Sequence, residues 1–262
     1  MPKRKLITGF LVIAVISFVF LGNFMRAKYV VPILMYHSVS PQASPENLLA
    51  ISSQTFERQM HFLKDQGYNV IPLGSLAGLI QDKKRIPPKT ICLTLDDGYK
   101  DNYIYAFDIL KKYNLPAAIF IITNEVGRPD RLSWEEIKQM RDSGIITFGS
   151  HCLGPEPLTK INSEQEVKRE IFDSKKILEE KLGIKVNAFS YPEGRFNSRI
   201  RQLVIDAGYT LAVSTNPGRK YPSDDIFALK RLRISSNCAN SFIYWVETSG
   251  YYNFFREKRH KK

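Results

Sequence analysis

Thr94-Leu95-Asp96-Asp97-Gly98 sets two acids side by side where an apolar run, Ile91-Cys92-Leu93, comes to an end. The run predicts a buried strand and the glycine its exit turn. Inside a strand, neighbouring side chains point to opposite faces, so two adjacent carboxylates would be costly to bury there. At the strand's end both can reach one pocket and divide the work, one carboxylate holding a cation while the other accepts a proton. Asp-Asp-Gly is also ordinary turn chemistry, and these five residues alone leave both readings open. Two further segments repeat the arrangement. Gly149-Ser150-His151 follows Ile145-Ile146-Thr147-Phe148, and Phe189-Ser190-Tyr191-Pro192-Glu193-Gly194 follows Val186-Asn187-Ala188. Polar chemistry at three strand ends predicts a parallel α/β fold whose site lies at the carboxyl ends of its strands.

The elements that must hold these residues follow from hydrophobic period and punctuation. Strands are expected at 33–36, 69–71, 91–95, 117–122, 145–148, 188–190, 211–213 and 229–234, and helices at 56–66, 73–81, 103–113, 134–143, 164–182, 198–207 and 241–248. Ser133 ahead of Trp134-Glu135-Glu136 predicts a capping box closed by Glu136, and Ser163 with Glu166 repeats the pattern. Strands alternate with helices throughout. No repeat or low-complexity tract interrupts them.

The motifs resemble those of the polysaccharide deacetylases, the NodB-homology group of carbohydrate esterases. Thr94-Leu95-Asp96-Asp97-Gly98 is similar to that family's Thr-Phe-Asp-Asp-Gly. Pro32-Ile33-Leu34-Met35-Tyr36-His37-Ser38 resembles the opening strand of the branch acting on poly-N-acetylglucosamine. Thr55-Phe56-Glu57-Arg58-Gln59-Met60, Leu115-Pro116-Ala117-Ala118-Ile119-Phe120 and Ala207-Gly208-Tyr209 extend the likeness from about residue 31 to residue 234. The resemblance implies an irregular (β/α) barrel. It also implies a divalent metal, zinc or else cobalt or nickel, with Asp96 as general base and with Asp97 and His151 as metal ligands. The family's His-Ser/Thr-x-x-His motif is incomplete here, because Cys152 replaces Ser/Thr and Pro155 stands where the second histidine belongs. Proline has no side-chain donor, so Glu156, His37 or water must supply the third ligand, unless Glu156 is merely a solvated loop carboxylate and His37 a packed one. In the family's Arg-x-Pro-x-Gly motif, Tyr191 precedes Pro192 and Glu193 replaces the aromatic; these two positions are implied to meet substrate and the oxyanion. A Glu193 side chain there must point away or pair with Arg195, which could also stand in for the absent motif arginine. The last strand carries no histidine where many relatives place a general acid.

Charge is concentrated at the ends. Of the net +12 over 262 residues, five cations with no acid lie before residue 29, and five cations against one acid lie from Arg256 onward, which leaves only +3 between. So weak a balance in the globular part argues against nucleic acid, while the basic ends suit anionic lipid or wall polymer. Residues 6–24 contain no charge and are long enough, at about 28 Å as a helix, to cross a bilayer. With Lys3, Arg4 and Lys5 ahead of them they are expected to form a single membrane anchor that places the domain outside the cytoplasm, a cleaved signal being the alternative. The organisation is then an anchor at 1–28, a deacetylase-like domain at 29–250 and a basic tail at 251–262. Of the three cysteines, Cys92 reads as a core residue; Cys152 and Cys238 are free to pair in that compartment but nothing local joins them.

Two functions are expected on these grounds. The first is metal-dependent removal of N-acetyl groups from an extracytoplasmic polysaccharide. The second is a catalytically inactive, membrane-anchored relative that binds glycan, for which the missing histidines argue.

Overall fold

The computed structural model describes residues 29–215 and 225–252, together with positions 17, 18, 20 and 22. Most of the expected anchor and nearly all of the basic tail lie outside the described residues. Among the described residues no helix is long and apolar enough to cross a membrane.

Parallel strands follow helices around a nearly closed barrel. The strands are β1 (Ile33–Tyr36), β5 (Thr90–Leu95), β6 (Ala117–Ile121), β7 (Ile146–Ser150), β8 (Ala188–Ser190), β9 (Leu211–Ser214), β10 (Leu229–Lys230) and β11 (Leu232–Arg233), and they run in the order β10-β9-β8-β7-β6-β5-β1-β11. The short β4 (Asn69–Val70) pairs with the start of β5, and β2 (Ser38–Val39) pairs with β3 (Ala50–Ile51) apart from the barrel. Helices α1 (Ser53–Asp65), α2 (Leu73–Gln81), α3 (Phe107–Tyr113), α4 (Trp134–Asp142), α5 (Glu164–Leu182), α6 (Ser198–Asp206) and α7 (Ser241–Thr248) connect or flank the strands. Ser133 and Glu136 form the reciprocal capping box at α4, whereas at α5 the Ser163 side chain alone accepts from the Glu166 N–H.

Two departures from the expected elements bear on the site. The helix expected from 103 begins as a π-helical turn over Asn102–Ala106 before α3. The single strand expected at 229–234 is split at Arg231: Leu229 and Lys230 pair with Val213 and Ser214 of β9, and Leu232 and Arg233 pair with Leu34 and Met35 of β1. One short segment thus bridges the two ends of the sheet, and Arg231 sits at the seam.

Side-chain alternation sorts each strand into an outer and an inner face. Ile91, Leu93 and Leu95 of β5, Leu34 and Tyr36 of β1, and Ile119 and Ile121 of β6 pack outward against the helices. Ile33, Cys92, Ala118, Phe120, Leu211, Val213 and Leu229 fill the barrel. Burying apolar surface of this extent on both faces supplies the main stabilisation of such a fold, at about 25 cal/mol per Å².

Candidate active site

The parity that puts Cys92 inside the barrel carries Thr94 and Asp96 to the same side at the carboxyl end of β5. In β1 it carries Ile33, Met35 and then His37 inward, and because Tyr36 lies opposite Leu95, His37 comes opposite Asp96. Ser190 and His151 arrive by the same rule from β8 and the end of β7. Above the apolar filling of the barrel lies a polar layer made of Asp96, His37, His151, Ser190 and the seam residue Arg231.

Asp96 and Arg231 form its centre. Both are almost fully buried, at 1% and 2% exposure. The guanidinium donates to both carboxylate oxygens, Nη1 to Oδ1 at 2.7 Å and Nη2 to Oδ2 at 2.6 Å. Its remaining hydrogens reach Thr94 Oγ1 at 3.1 Å, Ser190 Oγ at 2.9 Å and the Ser214 carbonyl at 3.4 Å. The Ser190 hydroxyl in turn donates to Asp96 Oδ2 at 3.3 Å. Burial pushes the Asp96 carboxyl up, but the charges of Arg231 and His151 and the bonds from Arg231 outweigh it and hold the pKa down at about 2. Asp96 is therefore ionised across the neutral range. A buried pair of this kind is tolerable only because the fork is bidentate and its other donors are satisfied.

Asp97, the next residue, has left the strand. Its backbone is left-handed at φ 71° and the following Gly98 is also left-handed at φ 65°. Holding a non-glycine residue there costs on the order of 1 kcal/mol, a cost that active sites commonly bear. The turn brings Asp97 Oδ1 to 3.4 Å from His151 Nε2, with Asp96 Oδ2 3.9 Å from the same nitrogen. His151 Nδ1 lies 2.8 Å from the Ser190 carbonyl. A carbonyl only accepts, so Nδ1 carries a hydrogen and Nε2 is the ring nitrogen that faces Asp97. Two lone-pair atoms so close repel unless a proton or a cation lies between them. With ligand distances of about 2.0–2.2 Å, an N/O pair so separated suits one edge of a zinc coordination shell. Asp97 and His151 thus fit a divalent metal, with the backbone fixing the tautomer as metal-ligating histidines require.

A third donor does not join them. Among the described residues no three His, Cys, Asp or Glu side chains gather in a group able to hold a metal ion. Glu156 is not at the site: its carboxylate is 71% exposed and lies 3.9 Å from Lys160. Cys152 also faces away. Its backbone is left-handed at φ 70° and its side chain is buried in the outer core, where burial pushes the thiol well above its ordinary value. All three cysteines are free. His37 is buried beside the pair, its Nδ1 without a hydrogen-bond partner, and burial lowers its pKa against the opposing pull of Asp96 and Asp97, so it is neutral at pH 7.

The segment after β8 corrects the sequence-based expectation for Tyr191. Its N–H donates to the Val213 carbonyl at 3.1 Å, its hydroxyl donates to the Phe227 carbonyl at 3.0 Å, and its ring stacks on Phe196 at 4.3 Å. The side chain is fully buried, so Tyr191 braces the loop instead of meeting substrate. Glu193 is different. It is left-handed at φ 53°, its N–H is taken by no carbonyl among the described residues, and its carboxylate turns out to Arg195 at 3.0 Å and Lys160 at 4.0 Å. Its backbone donor is thus available while its charge is drawn away. Gly194 is required beside it, since a Cβ there would stand 1.9 Å from Thr215 Oγ1. Arg195, engaged with Glu193 and exposed, does not replace the motif arginine. Ser190 occupies that arginine's place, and Arg231 brings the guanidinium from the seam.

The chain matches the family model described as polysaccharide deacetylase over residues 83–212. It is 36% identical over 211 residues, 80% of this chain and 73% of the other, to the Bacillus subtilis protein YxkH, which is assigned to the polysaccharide deacetylases. It is 26% identical over 206 residues, 74% of this chain and 71% of the other, to the poly-beta-1,6-N-acetyl-D-glucosamine N-deacetylase of Staphylococcus aureus. Among solved structures, the Streptococcus pyogenes deacetylase PplD in complex with acetate superposes with a TM-score of 0.72 at 30% identity, covering 79% of this chain and 93% of that one. With Asp96, Asp97 and His151 inside the matched span and the barrel shared, the chain belongs to the polysaccharide deacetylase family.

Proposed function

We propose that the chain is a metal-dependent hydrolase that removes N-acetyl groups from an extracytoplasmic polysaccharide of the N-acetylglucosamine type. The observation that carries this reading is the division between two adjacent carboxylates: Asp96 locked in the ionised state by Arg231, and Asp97 turned to face His151. The name of the Staphylococcus aureus relative supports the substrate class. The uncharged run at 6–24 supports a tether that leaves the domain outside the membrane.

Asp97 and His151 would hold the divalent ion, zinc by their N/O chemistry with cobalt or nickel as alternatives, which when bound would polarise the acetyl carbonyl and acidify water. Asp96 accepts the proton of the attacking water as the water oxygen bonds to the acetyl carbon. A carboxylate whose pKa is about 2 is a weak base, so it needs water that is already acidified. The same property makes protonated Asp96 a strong acid. It can return its proton to the amide nitrogen as the C–N bond breaks, releasing acetate and a free amine. His37 is the only other titratable side chain in the polar layer that can take part in this transfer among the described residues. The Glu193 N–H, taken by no carbonyl among the described residues, would serve as a backbone donor to the tetrahedral oxyanion.

The test is acetate release from N-acetylglucosamine oligomers by the parent and by Asp96→Asn, with Zn²⁺, Co²⁺ and Ni²⁺ each supplied. Removing the proton acceptor should slow release by about 10²–10⁴-fold. Equal rates would remove Asp96 from the mechanism. The second reading, a glycan-binding protein without activity, is favoured by the lack of a third donor beside Asp97 and His151 among the described residues. It predicts glycan binding with no acetate released by the parent under any of the three metals.

A further inference from the structure

We propose that the amino-terminal end of the barrel, opposite the polar layer, docks an anionic phospholipid, with the headgroup phosphate at Arg85 and the lipid's apolar part on the floor of a cleft. The proposal deepens the tether described above and rests on that reading. A cavity of about 340 Å³ opens here between the starts of β1 and β10 and the end of α2. Ile33, Leu76, Ile80 and Leu229 make its floor; Lys84, Arg85 and Lys230 line it, and no acid does. Lys84 is paired with Asp82 at 2.8 Å, outside the lining. Arg85 is exposed on the loop after α2 and meets no carboxylate among the described residues. An apolar floor beneath a cationic rim is the complement of a lipid, which carries phosphate and hydrocarbon side by side.

The course of the chain points to the same occupant. Tyr29 and Val30 line the cavity, and Val30 donates to the Gly250 carbonyl at 2.9 Å while the Tyr29 ring lies 5.8 Å from that of Tyr251. Gly250, left-handed at φ 81°, lets the two strands of chain touch, since a Cβ there would stand 2.2 Å from the Tyr29 ring. Both ends of the domain therefore leave the fold at the rim of this cleft. Upstream lie Lys28, Arg26 and the uncharged residues 6–24; downstream lies a tail with five cations from Arg256 to Lys262. A bilayer that holds the upstream run would lie against this pole, where Lys84, Arg85 and Lys230 line the cleft.

The experiment presents a photoactivatable short-chain phosphatidylglycerol to the full chain in neutral detergent, so that labelling does not depend on the tether. Retention of the same chain in phosphatidylcholine nanodiscs reports the tether separately. Mass spectrometry should find the label on peptides covering residues 76–86 and 229–230. Arg85→Gln should lower it about fivefold, the contribution of one cation near an anionic surface. Unlabelled phosphatidylglycerol should compete; phosphatidylcholine and inorganic phosphate should not. Label confined to other segments, label indifferent to Arg85→Gln, or equal competition by phosphatidylcholine or by phosphate would each overturn the lipid site. Loss of the chain from nanodiscs alongside normal labelling would overturn the tether and leave the site standing. Acetate release should be the same in Arg85→Gln as in the parent, because the substitution lies at the far end of the barrel from Asp96.

Discussion

The two ends of the barrel use charge in opposite ways. At the carboxyl end Asp96 and Arg231 are buried, bidentate and surrounded by further donors and acceptors. At the amino end Arg85 stands in solvent over an apolar cleft. A buried pair is scarcely screened by salt and fixes orientation and ionisation; an exposed cation acts over about a Debye length and loses its pull as salt rises. Evolutionary use aside, the physics assigns chemistry to the first arrangement and attraction of a surface to the second. The carboxyl end also gathers left-handed non-glycine residues, Asp97, Cys152 and Glu193, each fixing a group at the site or turning one away. Added salt up to 0.5 M should therefore leave the one function and erode the other.

The sharpest way to break the comparison is at the buried pair. Arg231→Met leaves the Asp96 carboxylate alone in the interior, and the expected loss is about 3–5 kcal/mol of stability, measured by urea unfolding. The double variant Asp96→Asn, Arg231→Met removes both charges and should recover much of that loss while releasing no acetate. A double variant as unstable as the single one would show that the pair does not carry the effect. Next in size, Asp97→Ala and His151→Ala should each abolish binding of Zn²⁺ seen by calorimetry, since each removes one half of the only pair the described residues offer. Stoichiometric zinc retained in both variants would place the metal elsewhere.

Acid comes third. The Asp96 pKa is depressed from an ordinary value near 3.9 to about 2. The unfolded chain thus binds this proton first, so the pair's contribution is complete above about pH 4 and is lost as the pH falls toward 2. The integrated change is on the order of 2 kcal/mol, and it should vanish from the stability profile of the double variant. The smallest expected effect belongs to Glu156→Ala. Exposed and beside Lys160, Glu156 should be replaceable with no change in zinc affinity; a tenfold loss would mean that its loop closes over the site.

Much of the site was legible in the sequence for physical reasons. Adjacent acids after an apolar run suit a strand's end, and the apolar run before Gly149-Ser150-His151 puts His151 at another, although their roles came from the resemblance. Strand 33–36 and helices 73–81, 164–182 and 241–248 have the boundaries their periodicity predicts. Arg231 was not legible. It lies among alternating basic and apolar residues, Lys230 to Ile234, where nothing local distinguishes a buried guanidinium from a solvated one, and the break in the strand that turns it inward is set by pairing with two distant partners. The signal was indirect: Leu229 and Arg231 share a face, and Ser190 leaves a carboxylate without its expected counter-charge. Tyr191 was misjudged because its ring and its N–H are both consumed by packing that a motif cannot display. Glu156 is the solvated loop carboxylate that the sequence also allowed, since nearness to the lost histidine says nothing of direction.

The seam has a consequence for the order in which the barrel and its polar layer form. A ribosome delivers residues 83–212, with both acids and His151, before it delivers Arg231. Until the last strand arrives, a collapsing intermediate that buries Asp96 buries it without a counter-charge, and burial by itself pushes the carboxyl toward its protonated form. The same short segment then joins β9 to β1 and brings Asp96 its counter-charge in one event. Closure of the barrel and ionisation of its buried carboxylate are thereby coupled.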